Sequence, residues 1–230
     1  MNPLTSSAFA SIRSRAVSLF TCLLGTSFAL QAQPAAPPAP AADFTPIFNG
    51  RDLSGWGGAL YAFQVKDGAI TCKPDDGGTI YTRKRYSDFV VQFEFKLPPG
   101  AAAGLAIRYP GSGHPAYVGM CQIQLVDEAS PPVDLTDPRQ KNGAAYGLVA
   151  ATAGHLRPAG EWNREQVTVK GSTVKVELNG ATILETDLSK VTDYLDNHPH
   201  PGKDRTSGHL GFTADTDPVQ FRNLRIQPLP

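Results

Sequence analysis

The chain has 230 residues, 21 Lys and Arg against 21 Asp and Glu, and a formal net charge of zero. With no Lys/Arg cluster interleaved with aromatics, it lacks the concentrated positive field that phosphate binding requires, which argues against nucleic acid as a partner.

In chain order, the first feature is a leader. Arg13 and Arg15 precede an apolar run from Ala16 to Leu30, and "SFALQA" offers small residues at Ala29 and Ala32 for cleavage, so residues 1–32 read as a secretory signal peptide. The run falls short of the roughly 20 apolar residues that span a bilayer. A lipoprotein reading through Cys22 is poorly served by Thr21 and by the apolar run continuing beyond it. Residues 33–42, with "PAAPPAPAA", form a stiff extended linker with nothing to bury. Losing Arg13 and Arg15 with the leader leaves 19 basic against 21 acidic residues, a mature net charge of −2. The folded unit is expected over residues 43–230, as a single domain with an ample core, in the periplasm or outside a bacterial cell and without a membrane span.

From Asp43 onward nearly every segment reads with period two. Asp67-Gly68 and Asn179-Gly180 are tight hairpin turns, with another turn at Lys170 to Ser172. Further strands are expected at Phe89 to Leu97, Leu105 to Tyr109, Gln122 to Asp127, Ala145 to Val149, His209 to Thr213 and Val219 to Ile226. "DLSKVTDYLDNH" is the one helical candidate, and equally reads as a loop with one turn of helix. Many short strands without βαβ alternation predict an all-β antiparallel sandwich or jelly roll.

In such a sandwich the apolar set of each strand makes the core and the polar set looks outward. Phe89, Val91, Phe93 and Phe95 point inward and Gln92, Glu94 and Lys96 outward; Leu105, Ile107 and Tyr109 point inward and Arg108 outward. On the strand "GMCQIQLVDE", Cys121, Ile123 and Leu125 point inward and Gln122 and Gln124 outward. Arg108, Gln122 and Gln124, flanked by Ala101 to Gly104, then compose a shallow polar groove; the plainer alternative is a solvated sheet face. Cys72 and Cys121, the two cysteines of the mature chain, either pair or sit in the core as small hydrophobes.

"FTPIFNGRDLSGW", "FEFKL", "GLAIR", "QIQLVDE", "YGLVAA", "PAGEWN", "VKVELNG" and "GHLGF...DPVQFRNLRI" occur in that order. Together they resemble the 3-keto-disaccharide hydrolase family, also described as a 3-keto-glucoside lyase and 3-keto-2-hydroxyglucal hydratase domain. The likeness runs from about Asp43 to the C-terminus. It implies a concanavalin A-like jelly roll and an exported enzyme cleaving glycosidic bonds of sugars oxidised at carbon 3.

A ketone at C3 acidifies the hydrogen on C2, so such a site needs a base, donors for the enolate oxygen and an acid for the leaving group. Arg108 suits the enolate because its guanidinium stays charged and offers a rigid donor fork; its plainer use is a salt bridge, with Glu94 for instance. Gln122 stands where many relatives carry Glu and Asp215 where they carry His, so Asp215 and Asp127 are the candidate bases, and Gln122 and Gln124 hold hydroxyls. Asp215 and Asp217 also suit turn capping before Pro218. Tyr146, Glu94 and Trp162 complete the expected substrate-binding set, although Trp162 and Tyr146 equally suit packing roles. His114 and His155 lie in Gly/Pro-rich loops able to overhang the groove; His209 reads as structural. His198 and His200 with Asp193 and Asp196 admit a divalent metal, without matching any specific ligand spacing. No cofactor is expected, and the partner is an oxidised glycoside. The rival functions are a non-catalytic carbohydrate-binding module on the same fold and a structural cell-surface domain whose polar sheet face is merely wet.

Overall fold

The computed structural model describes residues 43–130 and 135–230. The leader and linker, residues 1–42, lie outside them.

Thirteen strands run through the described residues: β1 (Thr45–Pro46), β2 (Trp56–Gly58), β3 (Phe63–Lys66), β4 (Ala69–Cys72), β5 (Gly78–Tyr86), β6 (Phe89–Lys96), β7 (Ala102–Tyr109), β8 (Cys121–Val126), β9 (Asn163–Lys170), β10 (Thr173–Leu178), β11 (Ala181–Asp187), β12 (Gly208–Ala214) and β13 (Gln220–Pro228). They form two antiparallel sheets. One is ordered β11-β10-β9-β6-β13-β4-β3, with β1 paired to β13; the other is ordered β2-β5-β12-β7-β8. This is the two-sheet sandwich expected of a concanavalin A-like jelly roll. Among the described residues, no helix is long and apolar enough to cross a membrane.

The hairpins close where the turn dipeptides stand. Asp67-Gly68 and Asn179-Gly180 all take positive φ, between 50° and 91°, the geometry that matches strand twist in two-residue turns. Inward residues of both sheets then meet in one apolar layer. Phe212 on β12 touches Phe93 at 5.2 Å and stacks on Phe221 at 4.2 Å between ring centroids, bridging the sheets. Cys72 and Cys121 are both buried and unpaired. One inward position breaks the pattern: Glu165 on β9 is 0% exposed, and neither carboxyl oxygen has a hydrogen-bond partner.

Two β-bulges re-aim side chains. In β7, Ala106 pairs with Gly211 but Tyr109 pairs with His209, so Ile107 and Arg108 together oppose Leu210. Arg108 takes φ +49° there. The extra residue reverses the alternation expected for this strand: Arg108 turns inward, and Tyr109 joins the outer face beside Tyr81, 5.6 Å between ring centroids. In β13, Arg222 pairs with Glu94 but Arg225 pairs with Gln92, so Asn223 and Leu224 oppose Phe93, with Asn223 at φ +55°. Side chains three apart on a regular strand face opposite ways; this bulge puts Arg222 and Arg225 on the same face.

Other expectations are corrected. Ala145 to Val149 forms no strand, only isolated bridges from Ala145 to Ile123 and Val149, because the segment lies as a loop along the β8 edge. "DLSKVTDYLDNH" forms two single 3-10 turns, Leu188–Lys190 and Leu195–Asn197; Asp187 accepts from the Ser189 amide, capping the first. Strand β5 was not anticipated. Its pairing with β12 shifts register between His209 and Gly211, which spoils the period-two signal. A four-residue helix, α1 (Pro115–Val118), was also unforeseen.

Candidate active site

The outer face of the five-stranded sheet carries a groove, and the alternation of β8 sets its floor. Cys121, Ile123 and Leu125 are buried in the core, so Gln122 and Gln124 face the other way. Opposite them on β7 stand Ala106 and Gly104. A Cβ at Gly104 would lie 2.5 Å from the Gln122 side chain, so the missing side chain is what lets Gln122 lie across β7. Gln122 Nε2 donates to Gln124 Oε1 at 2.9 Å. Gln122 Oε1 is shut from solvent without a hydrogen-bond partner, an unsatisfied buried acceptor.

A cavity of about 250 Å³ opens over this floor, its lining including His114, Gln122, Gln124, Gln140, Tyr146, Thr213 and Asp215. The loop after β8 delivers Tyr146. The amides of Gly143 and Tyr146 donate to the carbonyls of Gln124 and Gln122 at 2.7 and 2.9 Å, and the Gln124 amide donates to Ala144. The end of β12 delivers Asp215, whose carbonyl packs where a Cβ on Gly77 would be only 2.7 Å away. His114 stands immediately before α1, and Tyr117 within it lies 5.0 Å from the His114 ring and 6.4 Å from the Tyr146 ring. His198 stacks on Tyr117 at 3.9 Å, extending this aromatic wall.

The electrostatics bring one carboxylate and one imidazole together. Burial against the cavity walls, then Asp217, raises the Asp215 pKa above its ordinary 3.8, and His114 opposes the shift. Burial lowers the His114 pKa below 6.5, opposed by Asp215. Both side chains keep contact with solvent at the cavity mouth, which limits each shift. The Tyr117 hydroxyl is pushed up, first by burial and then by Tyr146, so it remains a donor. The set offers a proton acceptor, a proton donor, two amides and the Tyr146 phenol around one small cavity, with Tyr117 packed beside His114 and Tyr146.

Four of the residues expected at the site converge: Gln122, Gln124, Tyr146 and Asp215, with His114 as the overhanging histidine. The other four stand elsewhere. Arg108 is 2% exposed, turned inward by its bulge. Its guanidinium donates to the carbonyls of Ser87, Gly171 and Arg205 at 2.7–2.9 Å and pairs with Asp88 at 2.7 Å, so its donors tie loops together. Asp127 accepts from the amides of Gly100 and Ala129 at 3.0 and 3.1 Å and caps a loop. Glu94 pairs with Arg222 at 2.7 Å on the outer face of the other sheet. Trp162 lies beside them, under the Arg222 guanidinium at 3.8 Å.

Among the other histidines, His209 Nδ1 bonds the Thr82 carbonyl at 2.7 Å, and His200 is buried with Nδ1 on the Ala116 carbonyl. His155 offers its backbone carbonyl to Asn179. Asp193 pairs with Arg139 at 3.1 Å, and among the described residues no three His, Cys, Asp or Glu side chains converge as a metal site. Tyr117, Gln140 and Thr213 were missed. Their one sequence signal is placement: Tyr117 follows the helix-starting Pro115, and Thr213 alternates outward on β12.

Three comparisons bear on this site. Residues 43–227 match a family described as the 3-keto-alpha-glucoside-1,2-lyase-like domain. A 3-keto-disaccharide hydrolase of Bacteroides thetaiotaomicron is 23% identical over 233 residues, covering 84% of this chain and 80% of that protein. Two crystal structures of candidate glycosyl hydrolases from Parabacteroides distasonis superpose with TM-scores of 0.72 and 0.69, at 24% and 25% identity. Each covers 81% of this chain, and 99% and 94% of the respective relative.

Proposed function

Because this chain belongs to the 3-keto-alpha-glucoside-1,2-lyase-like domain family, we propose that it cleaves the glycosidic bond of glycosides oxidised at carbon 3, by elimination followed by hydration. The observation that carries this reading is the convergence of Asp215 and His114 above the paired amides of Gln122 and Gln124 in one cavity. The side-chain amides of Gln122 and Gln124, at the floor of the cavity, hold the sugar hydroxyls. Asp215 takes the proton from C2, and the electron pair of that bond becomes the enolate across C2 and C3. Phenolic hydroxyls of Tyr146 and Tyr117 supply donors for the enolate oxygen in place of Arg108. The enolate then collapses: the C3 ketone reforms, a double bond forms between C1 and C2, the bond from C1 to the leaving oxygen breaks, and His114 protonates that oxygen. Water adding across the new double bond completes hydrolysis. Residues 1–32 would direct the enzyme out of the cytoplasm.

The test is release of reducing sugar from a 3-keto-disaccharide and from its unoxidised parent, with and without chelator. Release from the keto form alone, lost in Asp215→Asn and His114→Ala variants that still fold, supports the reading. Cleavage of the parent at an equal rate defeats the elimination chemistry, and loss of activity with chelator adds a divalent cation to the site. A second reading, a carbohydrate-binding module, is favoured by one feature: the floor of the groove is a pair of hydrogen-bonded amides, Gln122 and Gln124, neither of which can act as a base. Binding of the keto sugar without turnover would establish it.

A further inference from the structure

The sandwich carries a second, larger depression on the opposite outer face, away from the groove. It has a volume of about 470 Å³, and its lining includes Pro46, Phe48, Gln92, Glu94, Arg164 and Arg225. A hydrogen-bonded row runs across four strands at its floor, from β13 through β6 and β9 to β10. Gln92 Oε1 accepts from Arg225 Nε at 2.8 Å and from Arg164 Nη2 at 3.5 Å, Gln92 Nε2 donates to Gln166, and Gln166 donates to Glu177 at 2.6 Å.

The charges are unequal there. Glu94 is neutralised by Arg222, and Glu177 by Lys175 at 3.2 Å. Among the described residues, neither Arg164 nor Arg225 is in an ion pair. Each spends a single donor on the same amide oxygen, so two guanidinium groups keep their remaining N–H donors at the depression with no anion to meet. Arg225 reaches this position through the extra residue at Asn223, since a regular strand would have set Arg222 and Arg225 on opposite faces. A bulge that adds Arg225 to a face already carrying Arg164 and Arg222 is a directed placement of positive charge.

We propose that this depression binds a sugar bearing a carboxylate, a uronic acid residue, with the carboxylate received by Arg164 and Arg225 and the ring lying against Pro46 and Phe48. A guanidinium fork matches a planar carboxylate better than it matches a single hydroxyl. The volume and the apolar wall suit a ring attached to that carboxylate, and a small inorganic anion would leave most of the space unfilled.

The test titrates the purified full chain with glucuronate, with glucose as the uncharged analogue, and with acetate and sulfate as anions lacking the ring. Saturable binding of glucuronate that exceeds all three is expected. Arg225→Gln and Arg164→Gln should each weaken it by about tenfold or more, the order expected for losing one charge-assisted contact, while the melting temperature holds. Asp215→Asn and Gln122→Ala should leave glucuronate affinity unchanged, which separates this site from the groove whatever the groove proves to do. The proposal is overturned if glucuronate fails to saturate, if sulfate or acetate binds equally well, or if glucuronate binding survives both arginine substitutions.

Discussion

Removing the charge option at Glu165 should flatten the dependence of stability on pH. The carboxyl lies on the inward side of β9, paired in register with Phe93 and Leu178, and burial alone pushes its pKa from 4.5 to about 8. Between those values the unfolded chain has released a proton that the folded chain keeps, so the folded state binds more protons and stability falls as pH rises. The loss begins near 4.5, grows through neutral pH and levels off above about 8. At about 1.4 kcal/mol per pH unit, the full penalty is on the order of 5 kcal/mol, comparable with the whole stability of a small domain. Denaturant unfolding of the native chain and of Glu165→Gln and Glu165→Leu, at steps from about pH 5 to about pH 8, measures it. The native chain should lose stability relative to both variants across that interval, most steeply at about pH 6, midway between the two pKa values, and less steeply on approaching 8. If the native chain and the variants change in parallel, Glu165 does not hold its proton in the folded state and the reasoning fails.

Activity on a 3-keto-glycoside should follow a narrow bell in pH. Asp215 must be ionised, above its raised pKa, and His114 protonated, below its lowered one, so the acid limb lies above 3.8 and the alkaline limb below 6.5; the pH dependence of kcat/KM checks this, and an optimum above neutrality would reject the pairing. Gly104→Val should displace Gln122 from its bed on β7 and raise KM for the sugar about tenfold or more while leaving the fold intact, since one sugar contact is of that order; steady-state kinetics and a melting curve separate the two effects. Arg108→Met should destabilise the chain by about 3–5 kcal/mol, because Asp88 and three loop carbonyls lose their buried partner; denaturant unfolding reads it, and a change below about 1 kcal/mol would show that the loops do not depend on it.

The sandwich was legible because its signals are local. Turn dipeptides such as Asn179-Gly180 fix φ by their own chemistry, and the alternation on β8 sorts Gln122 from Ile123 without reference to any other strand. The misplaced residues share a cause that no local pattern carries. Regular alternation points Arg108 outward, yet one extra residue opposite Leu210 turns it inward. Motif and strand face alone place Trp162 and Glu94 at the groove. Which sheet a strand joins depends on long-range pairing, and β6 lies between β9 and β13 in the other layer. His114 was found as an overhanging loop residue, but its neighbour Tyr117 was not, because a four-residue helix leaves no periodic trace. Glu165 shares the strand face of Val167 and Val169, and only the pairing of β9 with β6 shows that this face is the core beside Phe93.

The two buried thiols make the chain its own reporter of opening. Cys72 belongs to β4 in one layer and Cys121 to β8 in the other, and burial raises their pKa values to about 11 and about 12, so thiolate reagents meet neither while the layers stay closed. Labelling at each position counts how often its own sheet parts from the other. Equal rates would mean that the layers separate in one cooperative event, whereas faster labelling at Cys121 would assign the looser motion to the sheet that bears the groove.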